Sequence, residues 1–273
     1  MSAKERMTLL DVLVATGIDP LRMMPGIGCC SIKETVELTR HAVNHGCAGV
    51  LMLPPFYYKN VSEEGLYRYF SEVVQRVGDA RLRIYLYHIP PVAIVGITPT
   101  LVERLLTAYP NAIAGMKDSS GDWNNAKTFL DAFAETASAA RTFDVFVGSE
   151  TFLLANMRNG GVGTISATAN VNPAAIDELY AACVGQSKFE NQDSKLEQQQ
   201  ARLNVVRGIF SSTKFPSMIA ALKQAIAIYR NDPEWTRVRP PLVELTADQA
   251  RLLAEQLTAI GFAMPRIGIS DRV

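Results

Sequence analysis

The chain has no apolar run approaching the roughly eighteen residues that a membrane-spanning helix needs, and Met1-Ser2-Ala3-Lys4-Glu5-Arg6 lacks the apolar segment of a secretory signal. Both absences predict a soluble, cytoplasmic protein. It has no excess charge either: 27 basic residues balance 27 acidic ones. That argues against nucleic acid or an anionic membrane as the main partner and favours a small neutral or anionic substrate. Cysteine is scarce. Cys29, Cys30, Cys47 and Cys183 show no Cys-x-x-Cys spacing, and an adjacent pair does not make a zinc site, so they read as reduced core thiols. The three histidines, His41, His45 and His88, are not clustered along the chain, so no histidine metal site is expected. His41 and His45 lie one helical turn apart, solvated or packed against neighbours. Gly26-Ile27-Gly28 lacks the third glycine and the acidic ribose partner of a dinucleotide site and reads as a tight turn.

What is present is alternation. The 273 residues, 48% of them apolar, suffice for one large α/β barrel or two small domains. Apolar strands near 21–28, 49–54, 83–89, 112–117, 144–148 and 162–167 are separated by helical patterns, which predicts a parallel sheet with right-handed crossovers. Ser2/Glu5 and Ser31/Glu34 are capping boxes; the first opens an amphipathic helix with Leu9, Leu10, Leu13 and Val14 on one face. Ser62 starts a helix closed by Gly78, and Thr98-Pro99 and Asn172-Pro173 place N-caps before proline. Between Asp122 and Glu135, Ala126, Phe129, Leu130 and Phe133 make one stripe, as do Ile176, Leu179, Tyr180 and Cys183 further on. Strands stop after 187. Helices follow near 190–210, 215–229 and 246–260, the last with a Thr246/Gln249 box. The chain is thus divided into a βα region over 1–187 and a helical extension over 188–273.

Two strand ends carry reactive side chains. Ala112–Lys117 is an apolar strand that delivers one lysine at its end. An amine at the mouth of an apolar pocket loses hydration, which lowers its pKa and lets the neutral form attack a carbonyl carbon; a strand-end lysine that merely reaches water is the alternative. Arg83–Ile89 is a second strand, ending in Tyr87-His88-Ile89-Pro90. Side chains alternate along a strand, so if Tyr87 faces inward Tyr85 does too, and by the same count Gly115 and Lys117 share a face of their strand, so that Tyr87 can converge on Lys117. A phenol beside an amine can shuttle the protons that imine formation requires; a core tyrosine with a satisfied hydroxyl is the alternative.

Tyr87-His88-Ile89-Pro90, Gly115-Met116-Lys117-Asp118-Ser119-Ser120-Gly121 and Leu53-Pro54-Pro55-Phe56-Tyr57-Tyr58, in this order and spacing, resemble the motifs of the dihydrodipicolinate synthase / N-acetylneuraminate lyase family. The similarity runs over essentially the whole chain. It implies a (β/α)8 TIM barrel and a class I lyase or synthase, acting on carbon–carbon or carbon–oxygen bonds through a lysine–pyruvate Schiff base. It implies a small 2-oxo acid as substrate, no metal or organic cofactor, and a homodimer or homotetramer. Lys117 and Tyr87 would be catalytic. Tyr58 matches the tyrosine that family members insert across a dimer interface, as a proton relay or as plain packing. Gly148, Ser149 and Ile165 at later strand ends, with His88 and Val92, are the candidate substrate contacts.

The chain departs from the family pattern in three ways. His88 stands where the family usually has Asn, and an outward packing role is expected for it. Members that condense pyruvate with aspartate semialdehyde carry Arg two residues after the Tyr-x-x-Pro proline; here that residue is Val92, which cannot bind a carboxylate by charge. Dihydrodipicolinate synthesis is therefore not expected. Another 2-oxo acid lyase, a sugar-acid aldolase or dehydratase, or a non-catalytic relative remains. Finally, six strands are counted where a closed barrel of this type needs eight. The family's Gly-Thr-Thr-Gly-Glu turn, which holds the pyruvate carboxylate, has no match. Either a start codon assigned too late or a piece of a longer, then inactive, chain is expected, the former favoured.

Overall fold

The computed structural model describes residues 1–133, 143–184 and 193–264. The chain runs α1 (Ala3–Ala15), β1 (Gly26–Ile27), α2 (Ile32–Asn44), β2 (Val50–Met52), α3 (Glu63–Val77), β3 (Ile84–His88), α4 (Pro90–Ala93) and α5 (Pro99–Ala108). It continues through β4 (Ile113–Asp118), α6 (Trp123–Phe133), β5 (Asp144–Val147), α7 (Leu153–Arg158), β6 (Gly163–Thr164), α8 (Pro173–Val184), α9 (Asp193–Phe210), α10 (Met218–Arg230) and α11 (Ala247–Ala259). The strands form one sheet in chain order, β1 to β6, and the pairs from β1 to β5 are parallel. This is the α/β architecture predicted from the alternation, with the C-terminal helices in place.

Two compact units are present. One comprises Met1–Gly148 and Asn159–Gly163, the other Ser149–Arg158 and the chain from Thr164 onward. The boundary anticipated between 187 and 188 lies outside the described residues.

In the first unit the helices bury an apolar stripe against one face of the sheet. Leu66, Phe70, Val73 and Val77 of α3, Leu101, Val102 and Leu105 of α5, and Phe129 and Phe133 of α6 join Met52, Ile84, Leu86 and Met116 of the strands in one core. Burying a side chain of this size stabilises the fold by about 1.5–3 kcal/mol each. Several announced caps form, although the box expected at Ser31/Glu34 is made in its Ser31 half only. Ser2 and Glu5 close a reciprocal box, the Ser31 and Ser62 hydroxyls accept from the Glu34 and Gly65 amides, and Gly78, with φ +62°, ends α3 in the left-handed region.

Three expectations change. The first strand shrinks to two residues, because Asp19 caps a 3-10 turn over Pro20–Arg22 and takes those residues out of the ladder. Of the apolar face proposed for α1, Leu10 alone is buried, and Leu9 is 48% exposed. Cys30 is exposed rather than a core thiol, whereas Cys29 and Cys183 are buried; all four cysteines are free.

The second unit has its own cores. One joins Val206 and Phe210 of α9, Ala221, Leu222 and Ala225 of α10, and Leu253 and Leu257 of α11. The other joins Leu153 and Leu154 of α7, Ile176, Leu179 and Cys183 of α8, and Leu196 and Leu203 of α9. Tyr180, placed in the α8 stripe by its spacing, is exposed. No helix among the described residues is long and apolar enough to cross a membrane.

Candidate active site

The register of the sheet creates two rows of side chains on the face away from the helices. Tyr85 pairs with Gly115 and Gly115 with Asp144; one step up, Tyr87 pairs with Lys117 and Lys117 with Phe146. Residues two apart share a face, so Tyr85, Tyr87, Gly115 and Lys117 point to this side while Leu86 and Met116 point into the helix-covered core; a register shift at Ile84/Tyr85 keeps Ile113, opposite Ile84, in that core. Gly115 is needed in the first row, since a Cβ there would fall 2.3 Å from the Asp144 carbonyl oxygen. The Tyr85 hydroxyl donates to Asp144 Oδ2 at 3.0 Å. Burial raises both groups: the Asp144 carboxyl moves above its ordinary value, and the Tyr85 phenol, next to that carboxylate, is pushed up to about 12.

In the second row Lys117 and Tyr87 meet. Lys117 Nζ donates to the Tyr87 hydroxyl at 3.1 Å and stands 4.3 Å from the centre of the tyrosine ring. Lys117 is only 9% exposed. The residues after it fix the strand end. The Ser119 amide donates to the His88 carbonyl at 2.7 Å and the Gly148 amide to the Asp118 carbonyl at 2.6 Å. The buried Asp118 carboxylate accepts from the Ser120 amide at 2.7 Å and from Asn125 Nδ2 at 3.0 Å. Asp118 is thus a positioning residue that the spacing did not single out; its signal is an Asp followed two residues later by Ser, the pattern of a side-chain-closed turn.

The other candidates fall in different places. His88 lies on the opposite face of β3 from Tyr87, buried, with its Nδ1 accepting from the Ile97 amide at 2.9 Å and its ring 6.0 Å from that of Phe129. Burial lowers its pKa, against the opposing pull of Asp118; the ring packs, as anticipated for an outward residue. Tyr58 is 74% exposed and stacks edge-on against Tyr57 at 5.2 Å. Val92, on α4, is 71% exposed. Gly148 is a close-approach glycine: a Cβ there would collide with Ser119 Oγ at 1.9 Å. Ser149 and Ile165 belong to the second unit, where Ser149 caps a 3-10 turn and Ile165 is half-buried.

A polar cluster in that unit went unannounced. Glu150, 1% exposed, accepts hydrogen bonds from the Ser166 and Thr168 hydroxyls and pairs with Arg207 Nη1 at 3.5 Å. Arg207 also donates to Ser166 Oγ at 3.2 Å. Gln200 ties the same turn to α9, donating to the Glu150 carbonyl and accepting from the Leu154 amide, both at 2.9 Å.

Parallel strands each followed by a helix, with a lysine–tyrosine pair at two adjacent carboxyl ends, are the arrangement of an α/β barrel protein, a fold in which active sites sit at the C-terminal rim. The chain belongs to the dihydrodipicolinate synthetase family, whose model matches residues 1–260. Its members are lyases and synthases of the class I aldolase type. An uncharacterized DapA-like lyase of Chloroflexus aurantiacus is 31% identical over 93% of this chain and 78% of that protein. Dihydrodipicolinate synthase of Agrobacterium tumefaciens is 30% identical, with TM-score 0.77 over 95% of this chain and 82% of that one. The Escherichia coli K12 prophage protein YagE, solved in complex with pyruvate, is 26% identical, with TM-score 0.79 over 96% and 83%.

Proposed function

We propose that the protein is a Schiff-base lyase or synthase acting on pyruvate or a related 2-oxo acid. The observation that carries this reading is the buried amine of Lys117 held 3.1 Å from the phenol of Tyr87. The neutral amine adds to the 2-oxo carbon to give a carbinolamine. A proton relayed by the Tyr87 hydroxyl lets water leave; the protonated imine then takes up the electron pair released when the bond between its α and β carbons breaks, becoming an enamine while the β-hydroxyl gives up its proton to become the carbonyl of the released fragment, and in the reverse sense the enamine, formed by loss of an α proton, supplies that pair as the bond forms. Lys117 is the nucleophile, Tyr87 the acid/base, and Tyr58 the candidate relay contributed across a homodimer or homotetramer interface. Gly148, Ser149, Ile165 and Val92 are the proposed substrate contacts, Gly148 through its backbone. His88, first taken as a contact, is on the far face of β3 and would act only as a positioning residue through its packing.

Exposed Val92 offers no positive charge to a second carboxylate, which favours a partner other than aspartate semialdehyde. Loss of water from a sugar acid through the same imine is the alternative reaction, and the pair of side chains serves either. The βα region over 1–187 and the helices over 188–273 would divide catalysis and assembly. Sodium borohydride added with pyruvate tests the reading. A stable adduct on Lys117, seen as a mass increase on the tryptic peptide and lost in Lys117→Ala, is the expected result. No mass shift on the wild-type chain overturns the mechanism.

A further inference from the structure

Helices α1 and α2 pack against each other and bring together three groups that are far apart in the sequence. His45 Nε2 lies 2.8 Å from Asp11 Oδ1, and His41 Nε2 lies 2.8 Å from the same oxygen. One turn of α2 separates the two histidines, so their rings stand side by side, edge to face, with centroids 4.7 Å apart. The three candidate ligand atoms lie within 4.8 Å of one another. All three side chains keep a solvent-accessible edge, with relative exposures of 50% for Asp11, 24% for His41 and 27% for His45, so the cluster has an open entry path. None of these residues takes part in the imine chemistry.

We propose that Asp11, His41 and His45 form a binding site for a borderline divalent cation, with Zn2+ as the best match. Two imidazole nitrogens and one carboxylate oxygen are the ligand set such ions prefer, and hard cations such as Mg2+ and Ca2+ select all-oxygen cages instead. The geometry is close to what is needed. Metal–ligand bonds of about 2.0–2.1 Å at tetrahedral angles put ligand atoms roughly 3.3 Å apart. The two N···O separations of 2.8 Å therefore have to open by only about half an ångström, which small side-chain rotations supply. Water fills the fourth position. Binding involves no redox change. Each Nε2 presents its lone pair to the metal, and the proton it held moves to Nδ1 of the same ring or is released to solvent.

The consequence is a cross-link. A cation held by one ligand from α1 and two from α2 ties the helices together and stabilises the native chain by mass action. The test is titration of the full chain, first stripped with a chelator, with zinc chloride followed by calorimetry and thermal melting, and with cobalt(II) chloride followed by visible absorption. One equivalent of metal per chain, a rise in melting temperature and tetrahedral cobalt bands are expected. Asp11→Asn and His45→Gln should each weaken zinc binding by more than about tenfold. The double variant His41→Gln/His45→Gln should lose the zinc-induced rise while its circular dichroism and metal-free melting stay as in the wild type. No zinc binding by the wild type, or equal binding by the double variant, overturns the proposal.

Discussion

The two polar centres of the molecule are built on opposite rules. Glu150 is saturated: two hydroxyls and a guanidinium converge on its carboxylate, and its backbone carbonyl is taken by Gln200. Lys117 is also buried, yet among the described residues its amine donates one hydrogen bond, to Tyr87. A buried ion with every site filled holds a turn in place, and removing one member leaves the rest uncompensated. A buried amine with unused capacity has room for a reaction partner. The contrast teaches that burial alone does not mark reactivity.

Tyr87→Phe is the strongest way to break this comparison. Losing the phenolic proton should lower turnover of a 2-oxo acid substrate by about 10²–10⁴-fold while leaving melting near wild type, as steady-state kinetics and calorimetry would read. Full activity in that variant would reduce Tyr87 to a packing residue. Glu150→Gln should do the reverse and destabilise the chain. The neutral amide leaves Arg207 without its carboxylate and cannot accept all three donors, a loss of about 3 kcal/mol measurable by urea unfolding. Thr168→Val sharpens the same point at smaller cost, about 1–2 kcal/mol, because it removes one donor and leaves Ser166 and Arg207 on the carboxylate.

The smallest effect belongs to Asp144. Burial raises its carboxyl above the ordinary 3.8, so the folded chain holds that proton more tightly than the unfolded chain does. This stabilisation is complete below about pH 3.8 and is lost as the pH rises through the folded value. Asp144→Asn should therefore flatten the decline in melting temperature between about pH 3.8 and that value. An unchanged slope would mean that the carboxylate is better solvated than its burial implies.

The sequence disclosed the reactive pair better than its surroundings. Lys117 and Tyr87 were legible because a strand repeats every two residues and both motifs end their strands, so the two side chains could converge, and the resemblance of those motifs to a family favoured that they did. The helical stripe of α6 was legible for the parallel reason at 3.6 residues. The shortened β1 was not, since Asp19-Pro20 competes locally for backbone that hydrophobicity assigned to the sheet. The Glu150 cluster and the Asp11–His41–His45 group were hidden because they join residues across separate elements. Nothing in the spacing of residues 150, 166 and 207, or of 11, 41 and 45, encodes which helix lies beside which.

The pairing of Tyr87 with Lys117 across β3 and β4 also sets which genetic changes this chain can survive. Dropping or adding a single codon within either strand would bring Leu86 or Met116 to the upper row and turn the amine or the phenol into the oily layer beneath the helices. Changes in steps of two would keep the facing side correct but raise or lower one partner by a full pleat. Length variation in such a lineage should accordingly collect in the connecting loops, while these two strands keep their residue count.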